Sequence, residues 1–220
     1  LVSIEQWEWL MRTRTPEAIG TLEFARFKEE AHFLCSTNDL VKSYNRRKLT
    51  SLGTPIFRII ATNTPSRARH TSSDHFRGIE NISFFALNAK ISITTNLCKK
   101  FGLVNGAPGI IRDVVWGEGK VPNVDLPAFV VIEVPSYSGP RFFPQEEEQK
   151  RTWIPISPCT FYDDSFSQSR TGFPIQLAYA MTIHKAQGES LSPIHCTIVI
   201  KQPLIKRFSR NHPWDDIRCI

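Results

Sequence analysis

The stretch LAYAMTIHKAQGESL, residues 177–191, gathers the side chains most suited to chemistry. Thr182, His184 and Lys185 are donors that can grip phosphate oxygens. Gln187 can orient a water or read a nucleotide phosphate, and Gly188 lets a backbone come close. None of them is an obvious nucleophile or metal site. Taken singly, such a histidine is usually packed or on the surface, and such a lysine is surface charge. The string as a whole is far more specific.

The elements that position this string can be read from patterning. IQLAYAMTIHKAQG gives a strand-to-helix signal, with Gly188 as a left-handed stop. Upstream, residues 3–13 and 22–31 read as short helices. HFLCSTND reads as a buried strand leading into a helix cap. The helix that follows should turn Leu40, Val41, Tyr44 and Leu52 inward and stop at Gly53. PIFRIIAT reads as a strand, and residues 62–82, rich in Ser, Thr, Arg and His, as a mobile loop. AKISITTNL, GIIRDVVW, AFVVIEV and RTWIPI are β-branched runs separated by turn residues. They suggest a small β-barrel set in an α/β frame. IHCTIVI is one more strand.

Composition sets wide bounds. The 220 residues can build one large domain or two small ones. A net charge of +6, from 27 basic and 21 acidic residues, permits a phosphate-rich partner without demanding one. The 5 cysteines, at 35, 98, 159, 196 and 219, show no C-x-x-C spacing. That argues against zinc and against a disulfide framework, and for a reducing, intracellular compartment. No apolar stretch reaches the ~18 residues of a membrane span, and Glu5 and Glu8 interrupt any signal-peptide core. The first residue is Leu, so the chain reads as a fragment or an incomplete gene product.

FPIQLAYAMTIHKAQGESL closely resembles motif V of superfamily-one helicases of the petite-integration-frequency (Pif) and RecD type. That pattern runs P-L-x-L-A-[WY]-A-x-[ST]-I-H-K-[SA]-Q-G-x-[ST]-L, and this chain departs at Ile175, with Glu189 at the variable position after Gly188. TNLCKKFGLVNGAPGIIRDVVW resembles a second family stretch, with Gly102, Asn105, Gly106 and Gly109 in place and a β-turn at Asn105-Gly106. FLCSTNDLVKSYNRRKL resembles a third, in which a strand ends at Thr-Asn and a helix follows with V-x-x-x-N. YSGPRFFP and WIPISP are similar to the eukaryotic branch, which includes helicases carried by Helitron-type transposons.

The resemblance implies an α/β fold: a second RecA-like helicase domain interrupted by a small SH3-like β-barrel. Residues 1–85 would begin domain 2A, 86–157 would be the insert 2B, 158–200 would complete 2A, and 201–220 would be a divergent tail. Function would be ATP-dependent 5′–3′ unwinding of DNA, with roles in repair, recombination and telomere maintenance, in a nucleus or mitochondrion if eukaryotic. Thr182, His184 and Lys185 would contact single-stranded or forked DNA, with Thr37 and Asn38 as a second phosphate contact. Gln187 and Gly188 would approach the nucleotide.

The parent machine needs ATP and Mg²⁺ on a Walker A loop. Around Gly119-Lys120, Val121 replaces the metal ligand and Val114 stands where the first glycine belongs. FVVIEV offers Glu133 inside the strand rather than an acidic pair at its end. The N-terminal RecA-like domain would lie before residue 1. KRFSR offers Arg210 as an arginine-finger candidate, a few residues short of the family spacing. The expectation is a chain that binds single-stranded DNA weakly, holds no cofactor tightly and alone hydrolyses no ATP. Two other readings stay open: a nucleic-acid-binding module acting alone or in trans, and a non-functional helicase or transposon remnant.

Overall fold

The computed structural model describes residues 3–12, 20, 22, 32–144, 147–165, 167–182 and 196–199. The chain divides into two compact units, Leu1–Val41 with Met181–Ile220, and Lys42–Ala180. Among the described residues, no helix is long and apolar enough to cross a membrane.

In the first unit, helix α1 (Ile4–Arg12) opens with a reciprocal cap. Ser3 N donates to Gln6 Oε1 at 3.0 Å and Gln6 N donates to Ser3 Oγ at 3.2 Å, so two helix-end donors are satisfied at once. Of the predicted 22–31 helix, only Leu22 lies within the described residues. Strand β1 (His32–Cys35) pairs in parallel with a strand at Cys196–Val199, β13. A short strand at Ala180–Thr182, β12, lies on the other side of β1, so that β1 is central. A central strand in a parallel pairing is covered on both faces, which fits the apolar run HFLC.

Helix α2 (Asn38–Ser51) follows β1. Thr37 caps it: its Oγ1 accepts Leu40 N at 3.4 Å and its carbonyl accepts Val41 N at 3.2 Å. Gly53 ends the element at φ 66°, as a left-handed stop requires. The buried face differs from the predicted one. Leu40, Val41, Tyr44 and Leu52 are half-buried, while Asn45 and Leu49 are buried. A polar residue takes the inward position because its amide finds partners there, as described below.

The second unit is built on a five-stranded sheet in the order β11-β5-β6-β7-β8. Strands β5 (Lys90–Ile93), β6 (Pro108–Val115), β7 (Phe129–Glu133) and β8 (Trp153–Ile156) form an antiparallel meander. Their inward residues, Ile91, Ile93, Ile111, Val130, Ile132 and Ile154, make one apolar core, the outcome of period-two alternation along β-branched runs. The Asn105-Gly106 turn forms as predicted: Gly106 has φ 86° and Ala107 N donates to Val104 O at 3.1 Å. Strand β11 (Ile175–Leu177) adds to the free side of β5, pairing Ile175 with Ile93 and Leu177 with Ile91. The sheet thus joins strands from residues 86–157 with the lead-in to the 177–191 string.

Two smaller sheets complete this unit. One pairs β2 (Ile56–Ile60) with β4 (Ile82–Ala86); the other has the order β3-β10-β9. The latter contains β3 (Thr62–Thr64), β9 (Cys159–Tyr162) and β10 (Ser169–Gly172). Residues 62–82, read from composition as a mobile loop, are instead an ordered lobe. Strand β3 leads into 3-10 turns at Ser66–His70 and Ser73–Phe76, with Ala68 and Phe76 both 0% exposed.

The lobe is organised by Arg170, which is 1% exposed. Its Nε donates to Asn63 Oδ1 at 2.8 Å, and Nη1 donates to Ile79 O at 2.9 Å. Nη2 donates to Ala68 O at 2.7 Å and to Thr71 O at 2.9 Å. The guanidinium lies 4.4 Å from the Phe76 ring centroid. Burial pulls the Arg170 pKa down from its ordinary value, and the Glu80 carboxylate partly opposes that. Carbonyl oxygens converging on one cation replace the water it gave up.

Candidate functional site

Thr182, half-buried, is the last residue of β12. Thr37 and Asn38 are exposed just beyond β1, the strand beside β12 in the same sheet. His184, Lys185, Gln187, Gly188 and Arg210 lie outside the described residues. The structure therefore brings the Thr182 and Thr37–Asn38 segments onto neighbouring strands. Thr37 uses an oxygen lone pair to cap α2, which leaves its hydroxyl proton for another acceptor. The first turn of α2 also carries Asp39, whose negative charge opposes an anion there.

The segment entering β12 is held at several points. Asn45 Nδ2 donates to Leu177 O at 3.4 Å, and Ala180 N donates to Asn45 Oδ1 at 2.9 Å. One side-chain amide spans two backbone groups three residues apart. Between them, Ala178 N donates to Lys90 O at 3.0 Å, and the Tyr179 hydroxyl accepts Lys90 N at 3.1 Å. Burial raises the Tyr179 phenol pKa, with the Lys90 N–H pulling the other way, so the hydroxyl stays neutral near pH 7. Strand β11 fixes the start of the segment and Asn45 fixes its end.

Asn45 was not singled out by patterning, although it is the Asn of the V-x-x-x-N match, with Val41 as its Val. Arg170 carried no sequence signal at all.

The Gly117–Lys120 segment does not fit nucleotide phosphates. Lys120 N donates to Gly117 O at 3.1 Å, Gly119 has φ 73°, and Lys120 Nζ lies 3.6 Å from Asp125 Oδ1. It is the turn between β6 and β7, and its cation is already paired. Glu133 is likewise engaged: its Oε2 takes Arg112 Nε at 2.7 Å and Nη2 at 2.5 Å. Asp163 accepts Gln168 N at 2.9 Å, Ser165 Oγ at 2.8 Å and Ser167 Oγ at 3.0 Å. These bonds, the Gln168 N–H foremost, hold its pKa below the ordinary carboxylate value. Among the described residues, no group of three or more His, Cys, Asp or Glu could hold a metal ion.

No protein-family model matches the chain. It is 28% identical over 192 residues to the ATP-dependent DNA helicase Pif1 of Campylobacter jejuni, across 80% of this chain and 38% of that protein. It is 26% identical over 165 residues to the PIF1 helicase of Danio rerio, across 75% of this chain and 23% of that protein. The chain thus spans well under half the length of these curated relatives. In fold it is similar to the crystal structure of Pif1 helicase from Candida albicans, with TM-score 0.56 and 21% identity. That match covers 76% of this chain and 38% of the helicase. A Bacteroides Pif1 bound to single-stranded DNA matches with TM-score 0.52 and 16% identity, over 89% of this chain and 43% of that one.

Proposed function

We propose, from a chain whose sequence relatives and structural neighbours are Pif1 helicases, that it forms the C-terminal part of an ATP-dependent 5′–3′ DNA helicase of that type. Its share of the work would be gripping single-stranded DNA and supplying the second face of the ATP cleft. The observation that carries this reading is the Asn45 clamp on Leu177 and Ala180. It links the two family-like segments, V-x-x-x-N and LAYAMTIHKAQG, through their own residues.

On this reading, residues 1–85 and 158–200 make up the second RecA-like domain, and 86–157 an SH3-like insert built on the β5–β8 meander. Residues 201–220 are a divergent tail. Thr182, His184 and Lys185 hold the DNA backbone, with the Thr37 hydroxyl and Asn38 as a second contact. Gln187 and Gly188 approach the nucleotide, and Arg210 is the arginine-finger candidate. ATP and Mg²⁺ would be held mainly by an N-terminal RecA-like domain outside this chain. Lys120 and Glu133, engaged as described, supply neither a phosphate cradle nor a metal ligand.

Binding of a single-stranded oligonucleotide to the purified chain tests the reading. Affinity should fall steeply with salt and drop in both Thr182→Ala and His184→Ala. Affinity that neither substitution changes rejects the assignment. DNA-stimulated ATP turnover by this chain, lost on a site substitution, would overturn the division of labour.

A further inference from the structure

The lobe that Arg170 anchors is buried on the inside and basic on the outside. The inward residues of its two 3-10 turns, Ala68 and Phe76, both meet the Arg170 guanidinium. The residues flanking them in sequence, Arg67, Arg69, His75 and Arg77, are all exposed, as is His70. One buried cation thus fixes two turns whose outward side chains are cationic or titratable. The acids of the segment are partly engaged elsewhere. Asp74 Oδ2 accepts Ser72 Oγ at 3.3 Å, and Glu80 accepts Ser73 Oγ at 3.1 Å and pairs with Lys42 at 3.2 Å.

A partly exposed aromatic surface adjoins Arg77. The Arg77 guanidinium sits 6.0 Å from the Phe161 ring centroid. Arg77, Phe161 and Tyr162 line one shallow cavity together with Thr160, Asp163 and Asp164. Tyr162 is 54% exposed. Of the two acids lining the cavity, Asp163 has its charge spread by three hydrogen bonds from its own loop, and the exposed Asp164 opposes a phosphate there. A backbone contact therefore falls to the arginines, and a base to Tyr162.

We propose that this lobe is a second nucleic-acid contact, a clamp on the phosphate backbone of a single strand made of residues distinct from the Thr182 string. Arg67, Arg69 and Arg77 pair with phosphates, and Tyr162 offers a face on which a base stacks. An acidic protein segment would use the cations but leave the aromatic face idle, which is why the strand is favoured. The order that Arg170 imposes lowers the entropy cost of the contact, because the turns are set before the ligand arrives. The proposal rests on reading the chain as a nucleic-acid-binding protein.

The test is fluorescence anisotropy of a labelled oligothymidylate with the full 220-residue chain over a series of salt concentrations. The comparison is Arg67→Gln, Arg69→Gln and Arg77→Gln combined, against Thr182→Ala with His184→Ala. All three arginines are exposed, so a thermal melt should show the triple variant folded. Three lost single-strand phosphate contacts at ~0.7 each should lower the slope of log affinity against log salt by about 2. A methylphosphonate oligothymidylate, which lacks the backbone charge, should bind wild type and triple variant alike. An unchanged slope in the folded triple variant overturns the lobe proposal, and loss in the string variant alone leaves the proposed function standing. Loss in the triple variant alone supports the lobe and rejects the string. A wild-type chain that binds no oligothymidylate at low salt rejects both.

Discussion

The Asn45 side chain bonds both sides of a three-residue span, donating to Leu177 O at 3.4 Å and accepting from Ala180 N at 2.9 Å. Ala180 is 3% exposed, so its N–H has little access to water once Asn45 is removed. An orphaned buried donor costs about 1–3 kcal/mol. Asn45→Ala should therefore lower unfolding free energy by about that much in urea titration. Asn45→Asp can still accept from Ala180 but turns an anion toward the Leu177 carbonyl, and should be at least as costly. A change below about 0.5 kcal/mol, the range of an ordinary surface substitution, would show that the clamp holds nothing.

Arg170 should be among the least replaceable residues of the second unit. Arg170→Met keeps the bulk but leaves the carbonyls of Ala68, Thr71 and Ile79 without their donor. Leaving a buried acceptor without its donor costs about 1–3 kcal/mol, so three such carbonyls together should cost at least that much. Limited proteolysis should then cut faster within residues 65–80 than in the wild type, where two 3-10 turns order the segment. Wild-type resistance in the variant would contradict the anchor role.

Two glycines with positive φ should respond differently to alanine. Gly53 has φ 66° and open space around an added Cβ, so Gly53→Ala should cost only the left-handed penalty, about 1–2 kcal/mol. Gly102 has φ 81°, and a Cβ there would lie 2.4 Å from the Ser136 carbonyl oxygen. Gly102→Ala must also push that backbone aside and should cost clearly more. Equal melting temperatures for the two variants would refute the close approach.

Asp163 gives a pH test with a definite sign. Its folded pKa lies below the ordinary value, so its stabilising contribution is complete above about pH 3.9. It is lost as pH falls through the lower folded value. The melting-temperature gap between wild type and Asp163→Asn should be constant near neutrality and should shrink below about pH 4. A gap that widens with acid would reverse the assignment.

Much of the β architecture was legible because it is local. Ile91 with Ile93, and Val130 with Ile132, alternate inward on strands bounded by Gly, Asn and Pro. The cap at Thr37 and the stop at Gly53 were readable for the same reason. The inward face of α2 was not, since hydropathy favours Tyr44 over its neighbour. Asn45 wins because strand-end groups more than 130 residues away satisfy its amide. Arg170 was invisible in SQSRTG, as its partners lie 91–107 residues earlier. Of the candidate site, the sequence named Thr182, Thr37 and Asn38, and the sheet then places their segments on adjacent strands. It had no means of naming the amide that holds the approach.

Asn45 is also a ruler. Its two bonds fit only when Leu177 and Ala180 are three residues apart with β11 in register. A one-residue slip of β11 would turn Ile175, 3% exposed, toward the opposite face. It would also shift the Leu177 and Ala180 groups against Asn45 by about 3.3 Å, more than a hydrogen bond tolerates. Inserting or deleting one residue at Ala178–Tyr179 would therefore break the Asn45 bonds while leaving Thr182, His184, Lys185, Gln187 and Gly188 in the sequence. The length of this short span is as much a part of the site as the residues that follow it.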